Sequence, residues 1–308
     1  MNNTVSLPKA VAMAIRPPTL LTGLAPVILG LTFGLKPILY GNRSLRLSQI
    51  LVCVFACCLV LLLQSAANLV NDAKDAEKGI DTSARTGPIR VVQSGILSKR
   101  FVRMAYNLCF ALSGVIVLGM FYWTRDWLVI AVAALCGLAA FAYTAGPYPL
   151  SYFALGEVVA FVFFGPVAVM GSAYLQTGRI DWSVAFWGAG CGFISAAIMA
   201  INNFRDRIND AKAGKHTLST LLGHEIGKRL PVLFVSLSLV ILFLYCANHE
   251  VVGLGLIGCY SGYLYLKGRI IPALNAKGPL VNSALQVTAQ FNLLYALYFM
   301  LCVSLGSL

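Results

Sequence analysis

Apolar runs separated by short polar segments recur from one end of the chain to the other. Nine are read, near residues 19–35, 48–70, 101–123, 127–144, 153–175, 183–203, 230–247, 250–266 and 282–305. An α-helix needs about 20 apolar residues, roughly 17–25, to cross a hydrocarbon core of about 30 Å, and each run approaches that length. The pattern predicts an all-α, polytopic membrane protein with nine transmembrane helices. Several runs carry Gly and other small residues, which let helices approach closely in lipid. The N-terminus is polar, and Arg16-Pro17-Pro18 precedes the first run, so no cleavable signal peptide is evident.

Composition agrees. Hydrophobic residues make up 59% and charged residues 11% of 308, with a mean hydropathy of +0.80. The few charges are unevenly placed. The N-terminal segment and the second, fourth, sixth and eighth loops hold 18 of the 23 Lys and Arg. That bias predicts a cytoplasmic N-terminus and an outside C-terminus. Topology and a phosphate-bearing substrate account for the net charge of +12, and no nucleic-acid-binding motif accompanies it. The nine cysteines are scattered without a Cys-x-x-Cys, and the three histidines lack metal-ligand spacing.

Two polar stretches break the apolar pattern. The first, Asn68 to Arg90, follows the apolar run that begins at Ile50. On a helix continuing out of that run, Asn71 and Asp75 share one face at i and i+4, with Asn68 and Asp72 beside them. Asp81, Arg85 and Arg90 follow. Oxygen ligands first and guanidinium groups after suit a divalent cation carrying a phosphorylated substrate. The second stretch, Asn202 to Lys215, repeats the spacing with Asn202, Asp206 and Asp210. Asn71/Asp75 and Asn202/Asp206 stand 131 residues apart, so the chain reads as one domain over residues 1–308 with an internal pseudo-repeat. A charge run usually means a solvated loop; acids beside side-chain amides at helical spacing weaken that reading for the first stretch, and the second stretch weakens it further. Two oxygen-rich clusters at matching helix ends can face one another and hold metal between them.

Elsewhere the bland readings prevail. Arg16 before Pro17 reads as a helix start with an interfacial arginine, or equally as a contact to a diphosphate. The tyrosines of the turn 143–152 read mainly as interface anchors. Glu157 is either a helix-start carboxylate favoured by the dipole or a buried polar contact at the site. The run Phe161 to Pro166 reads as lipid-facing packing. Little chemistry is read beyond Pro231.

These stretches resemble the UbiA superfamily of intramembrane prenyltransferases, most closely its menaquinone branch. The resemblance rests on Asn68-x-x-Asn71-Asp72-x-x-Asp75-x-x-x-Gly79-x-Asp81 with Gly87-Pro88-x-Arg90, and on Tyr143-Thr144-x-Gly146. It rests also on Gly171-Ser172-x-Tyr174-Leu175-Gln176, and on Asn202-Asn203-x-Arg205-Asp206-x-x-x-Asp210 with Gly214-Lys215-x-Thr217-Leu218. It runs from Arg16 to about Gly223. Gly79 departs from the wider superfamily, where many members have a third Asp; Asp81 is the nearby acid.

The resemblance implies a helical bundle around a central cavity, with an active site under a cytoplasmic cap in a bacterial inner membrane. It implies transfer of a polyprenyl group from polyprenyl diphosphate to 1,4-dihydroxy-2-naphthoate, with loss of carbon dioxide. Mg²⁺ is then expected on Asn68, Asn71, Asp72, Asp75, Asp81, Asn202, Asp206 and Asp210. Diphosphate contacts are expected from Arg16, Arg85, Arg90, Arg205 and Lys215, and cation–π stabilisation of an allylic cation from Tyr143. Two alternatives stay open: another aromatic acceptor such as 4-hydroxybenzoate, or a transporter of a phosphorylated lipid-like substrate. Transporters usually bind near the midplane on broken helices, whereas these acids lie at helix ends.

Overall fold

The computed structural model describes residues 5–41, 44–78, 87, 89–276 and 278–307, and these are almost wholly helical. Helix α1 (Leu7–Ile15) ends where Arg16 turns left-handed, and Pro17 starts α2 (Pro17–Tyr40). There follow α3 (Leu47–Lys78), α4 (Lys99–Thr124), α5 (Trp127–Ala142) and α6 (Gly156–Val162). A π-turn, Phe163–Val167, joins α6 to α7 (Ala168–Thr177). Next come α8 (Trp182–Lys212), α9 (Leu218–Asn248) and α10 (Val252–Tyr265). A second π-turn leads into α11 (Ile271–Leu274), and α12 (Asn282–Leu305) closes the chain. Local sequence sets several starts. Ser98, Asp126, Asp181 and Thr217 each cap a helix by accepting a backbone N–H with the side chain.

Among the described residues, seven stretches are long and apolar enough to cross a membrane: Pro17–Ile38, Leu47–Glu77, Lys99–Thr124, Gly156–Thr177, Trp182–Lys212, Leu218–Asn248 and Asn282–Leu305. The two remaining expected spans are shorter as helices. Helix α5 has 16 residues, about 24 Å at 1.5 Å per residue, and α10 has 14 before its π-turn. Helix α5 still runs between the two ends of the bundle. Asp126 before α5 accepts from Tyr174 at one end, while Tyr143 after it reaches the other.

Contacts define those ends. At one, Lys36 Nζ donates to Gly306 O and Ser307 O at 3.1 and 2.9 Å, and Gln176 donates to Gln49 O at 3.2 Å. At the other lie the ends of α3 and α8 and the starts of α2 and α12. Helix α8 is the inner helix: 72% of its apolar stretch is buried, against 17% for α4. Its Trp187 packs on Tyr245, and Phe33, Phe299 and Tyr295 extend that cluster ring against ring. Lipid tails are as apolar as these side chains, so fit and interhelical hydrogen bonds hold the bundle. Tyr295 donates to Ser238 O at 2.8 Å, one such bond.

Two readings change. The run Phe161 to Pro166 packs inward on α8, not outward on lipid: Phe161 meets Phe193 at 4.8 Å between centroids. The backbones come so close that a Cβ on Gly165 would lie 2.6 Å from Gly192 Cα. Helix α1, unmarked by hydropathy, lies against α3 because Ala10 and Ala14 join a core with Leu69, Val70 and Val91.

Candidate active site

The acids arrive at one place because their helices extend past the apolar stretch. Helix α3 carries Asn68, Asn71, Asp72 and Asp75 in its last turns, and α8 carries Asn202, Arg205, Asp206 and Asp210 in its own. The two ends meet across a polar cavity. Asn71, Asp75, Arg90, Tyr143, Asn202, Asp206, Asp210 and Lys215 line it, all residues singled out in the sequence. Lys215 spans the two motifs, with its Nζ 3.8 Å from Asp75 Oδ1 and 3.7 Å from Asp210 Oδ1.

Two guanidinium groups sit on the carboxylates. Arg90 Nη2 donates to Asp75 Oδ2 at 2.6 Å and to Asn71 Oδ1 at 3.4 Å, and its Nε is 3.9 Å from Asp72 Oδ1. Arg205 clasps Asp206 through Nε at 2.8 Å and Nη2 at 2.5 Å. It also donates to Asn202 Oδ1 at 2.6 Å and Asn282 Oδ1 at 3.0 Å. Arg90, Asp72 and Asp75 are all buried, so each charge depends on its partner. Even so, Oδ1 of Asp72 and Oδ1 of Asp75 are buried without a hydrogen bond.

Other expected ligands stand further off. Asp72 lies behind the cavity wall, where its Oδ2 accepts from Val92 N at 3.2 Å. Asn68 is used elsewhere: its amide donates to Ile15 O and Thr19 Oγ1, both at 2.8 Å, fastening the α1–α2 junction to α3. Arg16 lies in that junction, close enough for its charge to act on Asp72. Asp81 and Arg85 lie outside the described residues.

Two loops come together over this end. Ala154 N donates to His216 O at 2.5 Å, His216 N donates to Tyr152 O at 3.1 Å, and Ser151 N donates to Tyr143 O at 3.0 Å. The turn thus carries site residues, where sequence favoured anchors. Only Tyr148 is well exposed, at 77%. Lys215 Nζ lies 5.4 Å from the Tyr152 ring centre. Burial, with the nearby acids, pushes the Tyr152 hydroxyl up to about 12.

An oxygen-rich double cluster with three cations thus stands at one end of a helical bundle. The pattern of the UbiA prenyltransferase family spans residues 23–274. The chain belongs to the UbiA prenyltransferase family. It is 35% identical over 228 residues to a 1,4-dihydroxy-2-naphthoate octaprenyltransferase of Haemophilus influenzae, covering 72% of each chain. It is 36% identical over 208 residues to the enzyme of that name from Mycobacterium tuberculosis, covering 68% of each. Its fold is also that of a UbiA homologue from Archaeoglobus fulgidus solved with DMAPP and Mg²⁺. There the TM-score is 0.62 at 16% identity, over 96% of this chain and 99% of the other.

Within this UbiA family member, sequence reading missed several residues. Thr144, Ser151, Asn209 and Thr217 also line the cavity. Asn282 was missed because its partner Arg205 lies 77 positions away and nothing local marks it. Its one signal was an amide opening an apolar run. Asn203 was quoted only within a motif, yet it binds Glu157 through its side chain.

Proposed function

We propose that this UbiA family protein transfers a polyprenyl group from polyprenyl diphosphate to 1,4-dihydroxy-2-naphthoate with loss of carbon dioxide, giving demethylmenaquinol, the reduced form of demethylmenaquinone. The observation that carries this reading is the meeting of the α3 and α8 acids across one cavity, bridged by Lys215. The relatives named for that activity support the choice of acceptor.

The donor set fits Mg²⁺, a hard cation that takes oxygen ligands: carboxylates and amide oxygens converge, and two buried carboxylate oxygens lack hydrogen bonds. Asn71, Asp75, Asn202, Asp206 and Asp210 would hold it, with Asp72 close behind. When bound, the ion supplies positive charge that stabilises the leaving diphosphate. Arg90, Arg205 and Lys215 now neutralise carboxylates, and the same N–H groups suit phosphate oxygens. The Tyr143 ring, neutral and buried beside the cavity, offers a π-face to an allylic cation and helps keep water out. Asp81 and Arg85 keep the roles that their place in the motif gives them, as third acid and diphosphate contact.

The Lys and Arg bias supports a bacterial inner-membrane protein whose site faces the cytoplasm. Helices α5 and α10–α11 complete nine crossings of one domain. The test is an assay of membranes holding the full chain with labelled polyprenyl diphosphate. Prenylated product should form with 1,4-dihydroxy-2-naphthoate, far less with 4-hydroxybenzoate. Chelator should abolish it and added Mg²⁺ should restore it. Preference for 4-hydroxybenzoate would overturn the acceptor, and full activity in chelator would overturn the metal.

A further inference from the structure

Glu157 is a buried acid that the diphosphate site leaves unused. It is 2% exposed, in the first turn of α6. Its Oε1 accepts from Asn203 Nδ2 at 3.0 Å, while its Oε2 is buried with no hydrogen-bond partner. A tie between α6 and α8 needs only Oε1. Leaving a second carboxylate oxygen dry and unsatisfied is costly, and native structures seldom do so without a reason.

A second poorly satisfied group stands beside it. The Tyr143 hydroxyl has Met199 Sδ as its acceptor, at 3.1 Å, and a thioether accepts weakly. Gly156 brings the groups together. A Cβ there would lie 3.0 Å from Tyr143 Oη and 3.5 Å from Asn203 Nδ2. Tyr143 and Asn203 both line the polar cavity, so Glu157 stands directly behind its wall. An acceptor oxygen and a hydroxyl, set beside the Tyr143 ring, match a flat molecule carrying a hydroxyl. They do not match a diphosphate, which a carboxylate repels.

We infer that Glu157, with Tyr143 and Asn203, forms the subsite for the aromatic acceptor, Glu157 Oε2 accepting the hydrogen bond of one ring hydroxyl. The inference rests on the proposed prenyl transfer and names the residues that hold the second substrate. Its chemistry balances without a base. The allylic C–O bond breaks and its electron pair leaves on the diphosphate. The ring carbon bearing the carboxylate bonds the allylic carbon, and the electron pair of the ring–carboxylate bond returns to the ring as carbon dioxide departs. The hydroxyl keeps its proton. Held against Oε2, that hydroxyl pushes electron density into the ring and fixes which carbon faces the cation.

The test is steady-state kinetics on the full-length chain, varying each substrate in turn. In Glu157→Gln, Asn203 Nδ2 still claims the side-chain oxygen, so an N–H₂ group replaces Oε2 and the ring hydroxyl loses its charged acceptor. The acceptor KM should rise about 10-fold or more, the size of one hydrogen bond to a charged group. The KM for polyprenyl diphosphate should stay within about twofold, a split that loosened packing would not give. A monomethyl ether of the acceptor should be a poor substrate for the natural chain, yet cost Glu157→Gln little further. An unchanged acceptor KM, or a methyl-ether penalty equal in both proteins, would overturn the inference and leave prenyl transfer standing. Should the natural chain prenylate no hydroxylated aromatic at all, the functional reading falls and this inference with it.

Discussion

Arg90 shows what a single side chain does at this site. Its guanidinium holds two buried acids, Asp75 and Asp72, that stand only three residues apart on α3. Removing one partner from such a group leaves charge buried without compensation, which typically costs about 3–5 kcal/mol. Arg90→Met should therefore lower the thermal midpoint of the purified protein markedly, and Asp75→Asn added to it should recover part of the loss. No recovery would mean that Arg90 stabilises by packing alone. Sequence reading placed Arg90 on diphosphate oxygens, because an arginine after a run of acids reads as a free cation. Its engagement with Asp75 joins residues fifteen positions apart, which no local spacing reports. The acids themselves were legible, since i, i+4 spacing depends only on the helix that bears them. Asn68 shows the limit of that logic: it obeys the same spacing, yet its amide serves Ile15 and Thr19.

At the scale of elements, α8 is the inner helix on which both site and bundle depend. Its Gly192 lets the α6–α7 π-turn approach backbone to backbone, and α8 ends in the acids. Hydropathy located both segments, and it could not tell a face turned to a neighbouring helix from one turned to lipid. A methyl group at Gly165 would meet Gly192 Cα at 2.6 Å, whereas one at Gly171 would meet nothing within 4 Å. Gly165→Ala should thus lower stability by about 1–3 kcal/mol, the usual cost of overpacking, and Gly171→Ala should be near neutral. Thermal unfolding of the two variants in detergent checks this, and equal midpoints would show that the π-turn shifts freely.

Across the whole molecule, one end of the bundle carries the acids of both motifs and most of the lysines and arginines. The opposite end holds the contacts among Lys36, Gly306 and Ser307. That polarity was legible from loop charges alone, because the membrane acts on each loop separately. A reporter fused after Leu308 should appear outside the cell, and one inserted after Ala213 should appear inside. Both on one face would refute the topology.

The molecule's two halves meet at one site only if Asp75 and Asp206 serve the same diphosphate. The most direct measurement is the initial rate of prenyl transfer in Asp75→Asn, Asp206→Asn and the double variant, each normalised to folded protein. Asn keeps the volume and removes the charge. Each single change should cost about 10²–10³ in rate, as loss of one preorganised contact to a developing anion does. Groups that work as a unit are not additive, so the double variant should be little slower than the worse single one. A double loss equal to the product of the two single losses would contradict a shared site.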